Sequence, residues 1–228
     1  MQKHLVILSG AGISVESGIP TFRDSNGLWE NHRIEDVATP EGFAKNPELV
    51  LSFYNERRAK AASVAPNAGH NILAELEKFF KVTIITQNVD NLHERAGSTN
   101  VIHLHGELSK ARSSINANEI IEIGVNEIKL GDRSADGSQL RPHIVWFGEA
   151  VPFIDLAADI AASADLFIVV GTSLQVYPAA GLVQYVPKNV PIYIIDPKKP
   201  EFSSYKNMVY VEEVGSIGLG IVREILLK

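Results

Sequence analysis

The sequence predicts an α/β fold, a Rossmann-type parallel sheet forming a large lobe with a smaller lobe inserted into it. Three observations carry the prediction. Short Val- and Ile-rich runs recur along the chain, helical patterns separate them, and two long polar stretches interrupt the alternation. The runs are 4–9 (HLVILS), 82–87, 101–105, 143–147, 166–171 and 191–196. Most are continuously apolar, the pattern of strands covered on both faces. Helices are expected at 47–64, which opens with Pro47 near an N1 position, at 68–80, at 152–164 and at the C-terminal 217–228. The stretches 24–65 and 109–140 are turn-rich, with signals at Asn26-Gly27 and Thr39-Pro40. They are read as the smaller lobe, which leaves 1–23, 66–108 and 141–228 to the larger. In 109–140 the small-lobe core is expected from Ile120, Ile121, Ile123, Val125 and Ile128.

Bulk composition narrows the function. The 228 residues suit one domain, and 45% hydrophobic with 21% charged residues is ordinary for a water-soluble globular chain. No run approaches the ~18 apolar residues of a membrane span, and no signal peptide is evident. A cytoplasmic monomer is expected, with no membrane partner. The net charge of −6, with no basic stripe, argues against nucleic acid. The absence of cysteine removes disulfides, thiolate nucleophiles and cysteine zinc sites together.

Strand 4–9 runs into Gly10-Ala11-Gly12, then Ser14. Such a turn brings main chain and a hydroxyl close to a phosphate, or is simply tight. It lacks the third small residue of a dinucleotide fingerprint, since Val15 stands there. Phe22 and Arg23 follow, and a guanidinium near a phosphate-type loop suits anionic oxygens or a surface ion pair. After strand 82–87, Gln87, Asn88 and Asp90 crowd a strand's carboxyl end, where open α/β sheets bind ligands. Helix capping explains one of them but hardly three. His103 and His105 stand two apart, so on a strand they share a face. They are a metal pair without a third ligand, a core histidine, or, for His105, a general base. Gly171, Thr172 and Ser173 end another strand, and Asp196 a third, where an acid binds a ribose or closes a turn.

Taken in order, Gly-Ala-Gly-Ile-Ser (10–14), Gly-Ile-Pro-Thr-Phe-Arg (18–23), Gln-Asn-Val-Asp (87–90), His-Gly (105–106), Val-Trp-Phe-Gly-Glu (145–149) and Gly-Thr-Ser (171–173) resemble the sirtuins. These are the Sir2 family of NAD-dependent protein-lysine deacylases, and the likeness spans nearly the whole chain. It is greatest to their bacterial class III, desuccinylase-like branch. The resemblance implies that NAD is consumed as a co-substrate in a cleft between the lobes. It implies His105 as catalytic base with Asn88 and Asp90, and Gly10, Ala11, Gly12, Ser14, Phe22, Arg23 and Gln87 around NAD. Gly171, Thr172 and Ser173 would meet its phosphates and ribose, and Asp196, Pro197, Lys198 and Val214 its adenosine. Val145, Phe147, Gly148 and Glu149 would pair with an acylated-lysine peptide by β-augmentation. The implied products are free lysine, nicotinamide and O-acyl-ADP-ribose.

Tyr54 and Arg57, three apart on a predicted helix, share a face. The resemblance places them at the acyl tail, where a phenol and a guanidinium suit succinyl or malonyl rather than acetyl. Two departures stand out. The family's zinc cysteines are missing, with Ser113 and Ser134 near their places, so no metal is expected. Asp196 stands where many relatives carry Asn. An NAD glycohydrolase or ADP-ribosyltransferase, or a non-catalytic NAD-binding module, is the alternative. The run 145–149 and the Tyr54/Arg57 pair argue against the first, and His105 and Asn88 against the second.

Overall fold

A computed structural model describes residues 2–21, 28–199 and 207–228. Its main sheet has six parallel strands: β1 (His4–Ser9), β4 (Lys81–Thr86), β5 (Val101–His103), β9 (Leu166–Val170), β10 (Ile192–Ile195) and β11 (Met208–Val211). They lie in the order β11-β10-β9-β1-β4-β5. The chain therefore builds outward from β1 to one edge, then returns to β1's other side and builds to the opposite edge. The switch falls between β1 and β9, the place where such sheets open a ligand crevice at their carboxyl ends.

The continuous apolar runs follow from this layering. Along β1, Val6 and Leu8 face one core with Phe167, Val169, Ile192 and Ile194, covered by α6 (Ile154–Ala162) and a 3₁₀ helix at Ala179–Tyr185. Leu5 and Ile7 face the other core with Ile84, Ile168 and Ile195, covered by α4 (Ala68–Leu76) and α7 (Gly215–Leu226). Both faces are dry, so neither alternates with polar residues.

A three-stranded antiparallel sheet, β7 (Ile120–Glu122), β6 (Gly106–Ser113) and β8 (Leu140–Ile144), stands apart from it. The run 143–147, read from sequence as a strand of the parallel sheet, instead ends β8, and 145–149 continues as irregular chain. Helices α1 (Ile34–Val37), α2 (Pro40–Lys45) and α3 (Pro47–Ser63) pack on this sheet through Val37, Phe53, Tyr54, Leu108, Ile144 and Trp146. Asn46 caps α3 by accepting from the Leu49 amide at 3.1 Å. Ahead of these helices lies a hairpin, β2 (Leu28–Trp29) and β3 (His32–Arg33).

The expected isoleucine core of 109–140 is largely not one. Ile120, Ile121 and Val125 are exposed, and only Ile128 is buried, with Ile123 half-buried beside Leu51 and Ala111. β7 is a short edge strand with no layer over it, so its alternation has nothing to face. Polar pins hold this region instead. Ser113 donates to Asp136 at 2.6 Å and pairs with Ser138 at 2.8 Å, and Ser134 donates to Glu119.

Candidate active site

A cavity of about 840 Å³ opens at the carboxyl ends of the parallel strands. The residues that the resemblance implies, where described, all line it; Phe22 and Arg23 lie outside the described residues. At the switch point, Gly10, Ala11, Gly12 and Ser14 meet Gly171, Thr172 and Ser173. The helix after the glycine turn is a seven-residue 3₁₀ helix, Ala11–Ser17. Its glycines are required by the fold as well as by any ligand. A Cβ on Gly10 would stand 2.7 Å from the Gly171 carbonyl oxygen, and one on Gly12 would stand 2.6 Å from the Gly171 Cα. The two turns interlock, so neither can carry side chains there.

Gln87, Asn88 and Asp90 form a polar shelf beyond β4. The Gln87 amide donates to Thr172 Oγ1 at 3.1 Å, joining the two strand ends. The Asn88 amide donates to Ser14 Oγ, and Ser14 Oγ donates to Asp90 Oδ2, each at 3.2 Å. Burial pushes the Asp90 carboxyl up, against the Leu92 amide and the Ser14 hydroxyl, which lower it. Asp196, Pro197, Lys198 and Val214 form the far end of the cavity. Burial raises the Asp196 carboxyl too, partly offset by the amide and charge of Lys198.

The two histidines diverge. β5 stops at His103, and Gly106, at φ 84, turns the chain immediately after His105. His103 turns inward, with Nδ1 3.0 Å from the Asn88 carbonyl and Nε2 2.7 Å from Glu94. Both partners can accept from the ring, an arrangement that favours its charged form. Burial opposes that charge, but Glu94 outweighs it and the His103 pKa rises. His105 lines the cavity, with Nδ1 3.1 Å from the Gln87 carbonyl. A carbonyl only accepts, so Nδ1 carries the proton and Nε2 keeps the lone pair. Burial lowers the His105 pKa, against the Gln87 contact, and the ring is neutral at neutral pH. Neither histidine belongs to a metal cluster among the described residues.

At the other end of the cavity Tyr54 is fully buried and accepts from Trp146 Nε1 at 3.0 Å. Burial raises its phenol. The Arg57 guanidinium stacks 3.3 Å over the Phe53 ring, donates to the Phe53 carbonyl at 2.8 Å and meets Glu30 at 3.1 Å. In 145–149, the amides of Val145 and Phe147 already bond the carbonyls of His105 and Ala38, and that of Glu149 bonds Trp146. The Glu149 carboxylate is held by Arg112, Arg141 and the Trp146 amide. Trp146, quoted from sequence only as part of the 145–149 motif, also lines the cavity, as do Trp29, Glu30 and Lys60, which were not singled out from sequence. Glu30 sits in a turn with no Asn-Gly or Asp-Gly signature.

The model of the Sir2 family matches residues 10–178. The chain belongs to the Sir2 family. It is 52% identical to an NAD-dependent protein deacylase of Bacteroides thetaiotaomicron, over 99% of this chain and 98% of that one. It is 54% identical to an NAD-dependent protein deacylase of Helicobacter pylori, over 92% of each. Among solved structures, the crystal structure of a Sir2 homologue–NAD complex superposes with a TM-score of 0.88 at 40% identity, covering 99% of this chain and 90% of that one. A Sir2–p53 peptide–NAD⁺ structure superposes at 0.82 and 31% identity, covering 98% and 93%. Among the described residues, no helix of this family member is long and apolar enough to cross a membrane.

Proposed function

We propose that the chain is an NAD-dependent protein-lysine deacylase that removes succinyl or malonyl groups from lysine and also accepts acetyl. One observation carries this reading. A single cavity joins the interlocked glycine turns, the Gln87–Asp90 shelf and a neutral His105 to a buried Tyr54–Arg57 pair. Its volume falls within the range of cofactor sites. Its donors, the amides of Gln87 and Asn88 and the hydroxyls of Thr172 and Ser173, suit a carboxamide, phosphates and ribose. NAD fits this set. When bound it supplies an electrophilic ribose carbon, nicotinamide as leaving group and the ADP-ribose that carries the acyl group away.

The chain's own residues then have distinct tasks. His105 accepts a proton at Nε2, held in the right tautomer by Gln87. Asn88 and Asp90, tied through Ser14, orient polar groups beside it. Gly171 to Ser173 cradle phosphate, with Phe22 and Arg23 proposed alongside, and Asp196, Pro197, Lys198 and Val214 bind the adenosine end. Val145, Phe147 and Gly148 pair with the substrate peptide, chiefly through carbonyls since most of the run's amides are engaged. Glu149 supports that run by gripping its Trp146 amide. Tyr54 and Arg57 receive the carboxylate of an acidic acyl tail.

The lobe division is proposed on the same footing, with 24–65 and 109–140 inserted into the parallel-sheet lobe and the crossings drawn within β6 and β8. A monomer in the cytoplasm, acting on acylated-lysine proteins, completes the reading.

The test is mass spectrometry of two matched peptides, one succinyl- and one acetyl-lysine, with and without NAD. NAD-dependent loss of succinyl above acetyl, with O-succinyl-ADP-ribose formed, is expected. Arg57→Met is expected to lower desuccinylation by about a hundredfold or more, near 3 kcal/mol, and deacetylation only a few-fold. Equal loss of both activities refutes the acyl assignment. Nicotinamide release with both peptides intact refutes the deacylase.

A further inference from the structure

Arg57 already holds a carboxylate, and that carboxylate belongs to the chain. Glu30 Oε2 lies 3.1 Å from Arg57 Nη2, and Glu30 lines the same cavity as Tyr54 and Arg57. The contact uses one prong of the guanidinium. Arg57 Nη1 is spent on the Phe53 carbonyl, and Nε is buried without a hydrogen-bond partner among the described residues. The side of the fork made by Nε–H and Nη2–H is thus half used, although it is the side that takes a carboxylate two-pronged. The guanidinium cannot swing to improve the contact, since Phe53 lies 3.3 Å beneath it and Trp29 5.1 Å away.

Local geometry gives no reason for a glutamate at this position. Glu30 and Asn31 are the two turn residues of the hairpin between β2 and β3, with φ of 47 and 68. A two-residue turn with both φ positive favours Asn or Gly, and a long side chain there is disfavoured. Asn31 obeys that preference and Glu30 does not. A disfavoured residue held against a buried cation points to a role in the pocket. Its side chain stays 39% exposed against 10% for Arg57, so the carboxylate can leave toward solvent while the guanidinium cannot.

We infer that Glu30 is a specificity-determining residue, a tethered carboxylate that fills the Arg57 subsite until an acidic acyl tail displaces it. This rests on the reading of Tyr54 and Arg57 as the acyl-tail pair. With a neutral acyl group Glu30 stays and keeps the buried guanidinium paired, so acetyl-lysine enters without stranding a charge. A succinyl or malonyl tail must break the one-pronged contact and replaces it with a better one. Glu30 therefore narrows the discrimination between acidic and neutral acyl groups.

The test is steady-state kinetics of Glu30→Gln and Glu30→Asn on the matched succinyl and acetyl peptides at saturating NAD, beside Arg57→Met. Asn suits the turn and guards against a folding defect in the Gln variant. Both Glu30 variants are expected to raise the succinyl-to-acetyl ratio of kcat/KM by about five- to tenfold, mostly through a lower KM for succinyl-lysine. In the Glu30→Gln/Arg57→Met double variant the effect of Glu30 should vanish, as for any directly coupled pair. An unchanged or lowered ratio in both Glu30 variants, with Arg57→Met still abolishing the succinyl preference, overturns this inference alone. If Arg57→Met leaves the ratio unchanged, the acyl-tail reading itself fails.

Discussion

Two arginine–carboxylate sites wall the same cavity, and they are built on opposite plans. At Glu149 the carboxylate is saturated. It takes two bonds from Arg112, two from Arg141 and one from the Trp146 amide, all between 2.7 and 3.1 Å. Arg141 also donates to the Ile144 carbonyl and stacks 3.2 Å over Trp146. At Glu30, among the described residues, one ion pair at 3.1 Å is all that joins acid and base. A carboxylate with every lone pair engaged has nothing to offer a ligand, and it fixes the chain around it. A carboxylate held by one prong can be exchanged. Both sites combine an arginine, an acid and an aromatic ring, so residue type alone does not separate a structural knot from a binding subsite. Bond count does.

The largest test of this contrast is Glu149→Ala. It leaves Arg112 and Arg141, with 8% and 6% of their side chains exposed, without their acid. Removing one partner of such a buried network costs about 3–5 kcal/mol. A clear fall in Tm is expected, with succinyl and acetyl activities declining together. A stable protein with altered acyl preference would erase the distinction between the sites. Trp146→Phe probes the seam between them, because Trp146 backs Arg141 and also donates to the Tyr54 hydroxyl. Losing that hydrogen bond costs about 1 kcal/mol. A rise of about fivefold in KM for succinyl-lysine with little change in kcat is expected, and a kcat effect alone would show that Tyr54 is not held for the acyl tail.

Much of this arrangement was legible in the sequence, for a definite reason. The run 4–9 leads into Gly10 and the run 166–171 ends on Gly171 because their turns interlock, and a run buried on both faces announces itself by its unbroken Val and Ile. The polar residues that follow such runs, Gln87 to Asp90 and Thr172, fall at the carboxyl edge by topology alone. What stayed hidden was tertiary. β11 at Met208–Val211 is a four-residue edge strand, largely half-buried, too short for its apolar run to stand out. The fate of His103 depends on Glu94, a partner nine residues earlier on a separate helix. Glu30 lies in a turn with no sequence signature, and its partner is brought near only by packing of α3. The resemblance to the Sir2 family proposed residues for the site; it did not reveal that Glu149 is saturated and Glu30 is not.

The smallest expected effect is on pH dependence, and it sharpens the contrast by exclusion. Burial lowers the Arg57 and Arg141 pKa values from the usual arginine range, partly offset by their acids, and a guanidinium keeps its charge through neutral pH. Burial opposes the Glu149 charge, but Arg141 and the Trp146 amide outweigh it and hold its carboxyl below the usual glutamate range. Its folded pKa is depressed, so its contribution to stability is present above the unfolded value and is lost only as pH falls through the folded one. Neither the Arg57 guanidinium nor the Glu149 knot changes charge between pH 5 and 8. His105 is the proposed base, and burial holds its pKa below 6.5. Protonation there removes the lone pair at Nε2, so kcat/KM should fall on the acid side, with its limb below pH 6.5. The limb should be the same for succinyl- and acetyl-lysine, since it belongs to the shared base and not to the acyl subsite. A limb that moves with the acyl group would mean that a charge in the Arg57 subsite titrates with catalysis, and the Glu30 site would then be coupled to chemistry rather than to recognition.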